Sequence, residues 1–216
     1  MNLLHPQNHK AAMTLTEVVL VIVVALVLAA LLLPELARRK APDIGCALNL
    51  KQITLACRVW GTDHNDTYPM GISVPYGGSM EMVTTGDVVQ TFRVMSNELQ
   101  NPKVLICPDD PPHHWANSFD ELASANISYL IGVEATNGTN PQMILTGDAN
   151  LEIAGTPVKS GLVTLGTNDR VAWSAARHHC FGNLGLADGS VQTTTTNTLN
   201  QLFQQTGVPT NRLAIP

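Results

Sequence analysis

The sequence predicts an α+β protein, in which a long kinked N-terminal helix, half in a membrane and half amphipathic, packs on a small antiparallel sheet head. Three observations predict it. Val18 to Leu33 is an unbroken run of apolar residues without a charge. A second helical pattern follows, ending near Thr62. The rest reads as short strands between Gly, Pro and Asn turns.

The first element opens on the apolar run. From Met13 to Pro34 there are a little over twenty residues, about 30 Å of helix and the thickness of a bilayer core. A buried core helix rarely needs an all-round apolar surface of that length. A cleaved secretory signal would place its small-residue site near Ala25 to Ala30, but Leu31-Leu32-Leu33 continues the run beyond it. A retained membrane helix is therefore the expectation. Glu17 interrupts the pattern at its start, and a carboxylate in lipid is costly unless paired or solvated among headgroups.

Pro34 removes a backbone donor and should kink the helix, with Pro42 and Gly45 as a second weak point. Ile44, Leu48, Leu55 and Val59 then fall near one face, with Ala47, Ile53, Ala56 and Trp60 beside it. This is the stripe the head is expected to cover. Gly61 and the cluster Asp63 to Asp66 end the element near Thr62. Expected strands are 88–94, 104–107, 127–133, 143–146 and 162–164, followed by a hairpin over 183–192. Asp188-Gly189 between alternating runs predicts a type I′ turn, with positive φ at both central residues.

Charged residues make up only 13% of the chain, against roughly a quarter in average soluble proteins. Threonine, asparagine and glycine replace them in the C-terminal half, a composition common in exported proteins. A net charge of −5 gives no basic face, so nucleic acid is not an expected partner. The four cysteines, Cys46, Cys57, Cys107 and Cys180, form no C-x-x-C pair and allow three connectivities. Cys46 and Cys57 stand about 16 Å apart along an intact helix, too far to bond each other.

Sites for chemistry are sparse. The densest polar group combines Asp109-Asp110, His113-His114 and His178-His179-Cys180, and would suit a transition metal if the loops met. Adjacent His pairs share one geometry poorly and no His has the spacing of a helix face, so metal binding is not the expectation. No nucleophile elbow, phosphate loop or dinucleotide fingerprint occurs. No catalytic residue, metal or cofactor is assigned. The Asp63 to Asp66 and Thr146 to Asn150 stretches read as solvated turns.

Ala12-Met13-Thr14-Leu15-Thr16-Glu17-Val18-Val19 resembles the prepilin processing site, with Thr14, Leu15 and Glu17 in register and Lys10 in the leader. Ala12, Met13 and Thr16 depart from its usual residues. Cys46 to Ile53 with Trp60-Gly61-Thr62-Asp63 looks like the C-x-x-N-L-K-Q-I…W-x-x-D segment of pseudopilin-like proteins. The likeness continues at Val104 to Asp110, at Asn126 to Tyr129, and at His178 with Asp188-Gly189, with nine residues between. The chain is thus similar to type IV pilin-like proteins and type II secretion pseudopilins.

That resemblance implies a leader over 1–12, a transmembrane helix over 13–40, an amphipathic continuation over 41–66 and an exported head over 67–216. It implies cleavage by a prepilin peptidase between Ala12 and Met13, methylation of the new terminus, and pairing of Glu17 with a neighbouring subunit's amine. Partners would be the peptidase, other pilin or pseudopilin subunits and the bacterial inner membrane, with the head in the periplasm or outside the cell. The basic residues Arg38-Arg39-Lys40 then lie outside, against the positive-inside tendency. Calcium is the one ion that relatives of this kind suggest. Cys46 and Cys107 sit in the matching stretches and are the favoured disulfide, with Cys57 and Cys180 free and buried. Four reduced, packed cysteines remain open.

The expected role is a structural subunit of a secretion pseudopilus or pilus-like filament, not an enzyme. The rivals are a single-pass adhesin or receptor that never polymerises, and an anchored exported hydrolase.

Overall fold

The computed structural model describes residues 14–166 and 168–216, without the side chains of residues 31–43. The expected cleavage pair, Ala12 and Met13, lies outside the described residues, and the expected kinks at Pro34 and Pro42 fall where side chains are not described. The chain divides into two compact units, Met1–Lys40 and Ala41–Pro216.

Helix α1 (Leu15–Thr62) starts in the first unit. Its start is set by a capping box. The Thr14 N–H and hydroxyl donate to Glu17 Oε2 at 2.8 and 2.9 Å, and the Glu17 N–H returns to Thr14 Oγ1 at 3.4 Å. Leu15 and the apolar residues from Val18 to Leu28 are all exposed.

Among the described residues no helix is long and apolar enough to cross a membrane. The described apolar stretch, Leu15 to Ala30, is sixteen residues, about 24 Å at 1.5 Å per residue and short of a roughly 30 Å hydrocarbon core. This overturns the expected transmembrane helix over 13–40 and the single-pass inner-membrane location built on it. The head departs as well. It holds a six-stranded sheet, a second three-stranded sheet and several short helices, not one small sheet laid on a kinked helix.

The second unit is layered around the larger sheet. Its strands are β1 (Tyr129–Gly132), β2 (Ile144–Asp148), β5 (Gly161–Gly166), β7 (Gly182–Leu186), β8 (Val191–Thr194) and β9 (Thr210–Ile215). They run in the order β5-β9-β1-β2-β7-β8, every pair antiparallel. Side chains alternate across the sheet. Tyr129, Ile131, Leu145 and Ala214 share a core with Cys46, Leu50, Ile53, Cys57 and Trp60 of α1. Leu130, Ile144, Leu184, Leu186, Leu213 and Ile215 join the other core. That core is closed by α5 (Thr196–Gln205), through Leu199, Leu202 and Phe203, and by the small sheet of β3 (Leu151–Ile153), β4 (Thr156–Pro157) and β6 (Val171–Trp173). A sheet covered on both faces carries apolar residues on both, hence the fully buried β1, β2 and β7.

Two expected strands are helical. Residues 88–94 contain α3 (Val89–Val94), flanked by α2 (Met80–Val83) and α4 (Ser96–Leu99). Val88, Phe92, Met95 and Leu99 are the buried apolar residues there, a spacing of four, three and four that belongs to a helix. Residues 104–107 begin inside a 3₁₀ turn, Pro102–Leu105, whose Lys103 N–H donates to the Asn101 side chain at 3.0 Å. The hairpin turn also differs. Only Gly189 has positive φ, +83°, and the Gly189 N–H and Leu186 N–H close on Leu186 O and Ser190 O. This is a three-residue loop ending in a left-handed glycine, not a two-residue type I′ turn.

Central strands leave no room at Gly132, where a Cβ would lie 1.8 Å from the Ile144 carbonyl oxygen. Gly132→Ala must push β1 from β2 and is expected to cost about 3 kcal/mol, at the upper end for overpacking. Urea unfolding checks this; an unchanged midpoint contradicts the pairing.

Candidate functional site

The residues that carried the resemblance meet one another in the second unit. On α1, Cys46 is disulfide-bonded to Cys107. One turn later the Asn49 side-chain amide donates to Ile106 O at 2.9 Å and to the Tyr129 hydroxyl at 3.2 Å. The next turns grip the hairpin. Lys51 Nζ donates to Gly189 O at 2.6 Å and Arg58 donates to Asp188 O at 2.5 Å, while Tyr68, beyond the end of the helix, donates its hydroxyl to Ala187 O at 2.8 Å. Burial alone raises the Asp188 carboxyl, but hydrogen bonds from Ser190 and the charges of Arg58 and Lys51 outweigh it and hold it below the usual carboxylate range. A Cβ at Gly189 would press on Arg58 at 2.9 Å. The turn is a clasp on the helix.

His178 and Asp188 do not meet; they flank opposite ends of β7. His178 belongs to a second, buried constellation. Its Nε2 lies 3.3 Å from Cys107 Sγ and 3.5 Å from Asp148 Oδ2, while its Nδ1 faces Asp109 Oδ2 at 3.5 Å. The His178 N–H donates to the same Asp109 oxygen at 2.7 Å. Asp148 is fully buried at the end of β2, where its Oδ2 accepts the Asn183 backbone N–H at 2.7 Å and side-chain amide at 2.9 Å. Beside it Asp110 binds Arg177 and His113, each at 2.9 Å, and accepts the Ser128 hydroxyl at 2.8 Å.

The expected polar group therefore forms in part. Asp109, Asp110, His113 and His178 converge, whereas His114, His179 and Cys180 are exposed and stay outside. Asp148 was missed: its Thr-Gly-Asp-Ala-Asn setting reads as a solvated turn, yet it is a strand end. The backbone bringing His178 inward is strained, with φ of 52°, 51° and 68° at His178, His179 and Cys180, a region that disfavours side chains.

The remaining thiols differ from expectation in one respect: Cys57 is buried and Cys180 exposed. Burial pushes the Cys57 thiol up to about 12. At pH 8 a thiol reagent should label one cysteine per native chain and two per unfolded, unreduced chain. Labelling of two in the native state contradicts the packing. Because the folded thiol ionises later than the unfolded one, its stabilising effect is complete below the ordinary thiol range and is lost as pH climbs toward about 12.

Helix α1 also carries apolar side chains that nothing in the second unit covers. Ile44, Leu48, Leu55 and Val59 are 57, 58, 58 and 45% exposed. They led the stripe expected to face the core; of that stripe Ile53, Ala56 and Trp60 are buried, and Cys46, Leu50 and Cys57 complete the packed face. Leu55 and Val59 border an open cleft of about 730 Å³ that also involves Arg58, Tyr68, Thr139 and Asp188. The chain matches no protein-family model, no curated protein and no solved structure.

Proposed function

We propose that the chain is a pilin-like structural subunit, cut before Met13 by a prepilin peptidase and assembled with further subunits into a pseudopilus-like filament. One observation carries the reading. One face of α1 is locked into a core by a disulfide and a clasp, while Ile44, Leu48, Leu55 and Val59 form a second apolar face that stays exposed. These four repeat at intervals of four, seven and four, the spacing of a seam between helices. In the first unit, taken by itself, Leu15 and the apolar residues from Val18 to Leu28 are exposed as well. A helix apolar all round needs cover, and neighbouring copies of α1 supply the matching chemistry.

Glu17 takes the role of an assembly charge. The Thr14 backbone N–H and then its hydroxyl already hold the carboxyl below its usual range, so it is ionised and available to a neighbour's new terminal amine. Glu17→Gln tests the charge alone, because glutamine also closes a capping box. The expected outcome is an intact fold, a mature terminus at Met13 by mass, and loss of assembly by at least about tenfold, a modest 1.4 kcal/mol per contact. Wild-type assembly by the variant removes Glu17 from the interface. A terminus elsewhere removes the processing step.

A further inference from the structure

The constellation at His178 contains more than a helix clasp requires. Cys46, Cys107, Asp148 and His178 are all buried, and each offers one donor atom within 4.8 Å of the others. Two sulfurs, an imidazole and a carboxylate are the donor types of a four-coordinate zinc site. The surroundings orient them. Asp109 stands on Nδ1 of His178, leaving Nε2 directed at Cys107 Sγ and Asp148. A carboxylate behind a ligand histidine is the usual outer support of such sites. Asn183 fixes Asp148 through Oδ2, while the other oxygen, Oδ1, is enclosed and has no hydrogen-bond partner among the described residues. A buried carboxylate oxygen without a partner is costly, and a cation is one group that would satisfy it.

We infer that this centre is a redox-gated site for one zinc-class divalent cation. With the Cys46–Cys107 bond intact, the two sulfurs are tied to each other. A dithiol reductant opens it: the S–S bond breaks, two electrons and two protons pass to the cysteines, and the reductant leaves as its cyclic disulfide. The cation then displaces the thiol protons to solvent and binds two thiolates, His178 Nε2 and a carboxylate oxygen of Asp148. The helix α1 stays fastened to the 105–110 segment in both states, by a covalent bond in one and by the ion in the other.

The probe is Co²⁺, added to the full chain carrying Cys180→Ser so that the exposed thiol does not contribute. The protein is reduced with excess dithiothreitol and desalted without oxygen. One equivalent should bind with a thiolate charge-transfer band and tetrahedral d–d bands, and Zn²⁺ should displace it. The unreduced chain should show neither band. Cys46→Ser and His178→Ala should lose the spectrum, and Asp109→Asn should weaken binding by about tenfold, as loss of an outer partner does. If reduction loosens the fold, Zn²⁺ should restore the near-ultraviolet dichroism of the oxidised protein. Absence of the bands after reduction, a spectrum unchanged by His178→Ala, or equal binding by the oxidised chain overturns the site.

Discussion

Replacing Cys46 and Cys107 by alanine is expected to cost the second unit about 4 kcal/mol. The bond joins residues 61 apart, and the entropy that such a crosslink removes from the unfolded chain amounts to about 4 kcal/mol for a loop of that length. It also ties α1 to the segment that leads into Ser128 and β1, next to the Asn49 bonds. Loss of the crosslink leaves Asn49, the clasp on Gly189 and the shared apolar core to hold the helix, so the unit should still fold. At roughly 2–4 °C per kcal/mol in a domain of this size, the midpoint should fall by about 10 °C. Calorimetry with a chelator present reads the effect without any contribution from metal. A shift under about 2 °C contradicts the covalent fastening of helix to sheet.

The helical pattern after residue 44 was legible because apolar residues recur there at helical spacing. Which face is buried was legible only in part, through Ile53, Ala56 and Trp60. Ile44, Leu48, Leu55 and Val59 are as apolar as Cys46, Leu50, Ile53, Cys57 and Trp60, and a helix with two apolar faces gives periodicity no means to choose. The small residues offered a clue: Ala56, Cys57 and Gly61 lie on the closely packed side. The second core was hidden for another reason. Thr193 to Asn197 reads as polar surface, yet Thr195 caps α5 by accepting the Thr198 N–H, and Leu199, Leu202 and Phe203 follow at helical spacing. The capping box and the apolar triplet were both in the sequence.

The buried centre was half legible. Asp109, Asp110, His113 and His178 stood out by residue type, but only the β1–β2 and β2–β7 registers bring Asp148 to them. Tyr129 pairs with Asp148, and Leu184 with Gly147, placing Asp148 beside Asn183 at the mouth of β7. Pairing between strands separated by tens of residues leaves no local mark. The apolar run misled in the opposite direction: its composition suggested a span, while the described helix is apolar over too few residues to make one.

The central claim is that the uncovered face of α1 joins one subunit to the next. Leu48→Asp with Leu55→Asp tests it most directly, since both side chains are more than half exposed and contribute little to either core. The measurement is electron microscopy with sedimentation of the processed protein, alongside circular dichroism of the same samples. Wild type should form filaments that pellet; the double variant should stay in the supernatant as a folded monomer with an unchanged spectrum. Placing two carboxylates in each repeat of an apolar seam should reduce assembly at least a hundredfold, equivalent to about 2.7 kcal/mol per subunit contact. Filaments from the variant in wild-type yield, or a correctly processed wild type that remains monomeric, would contradict the account.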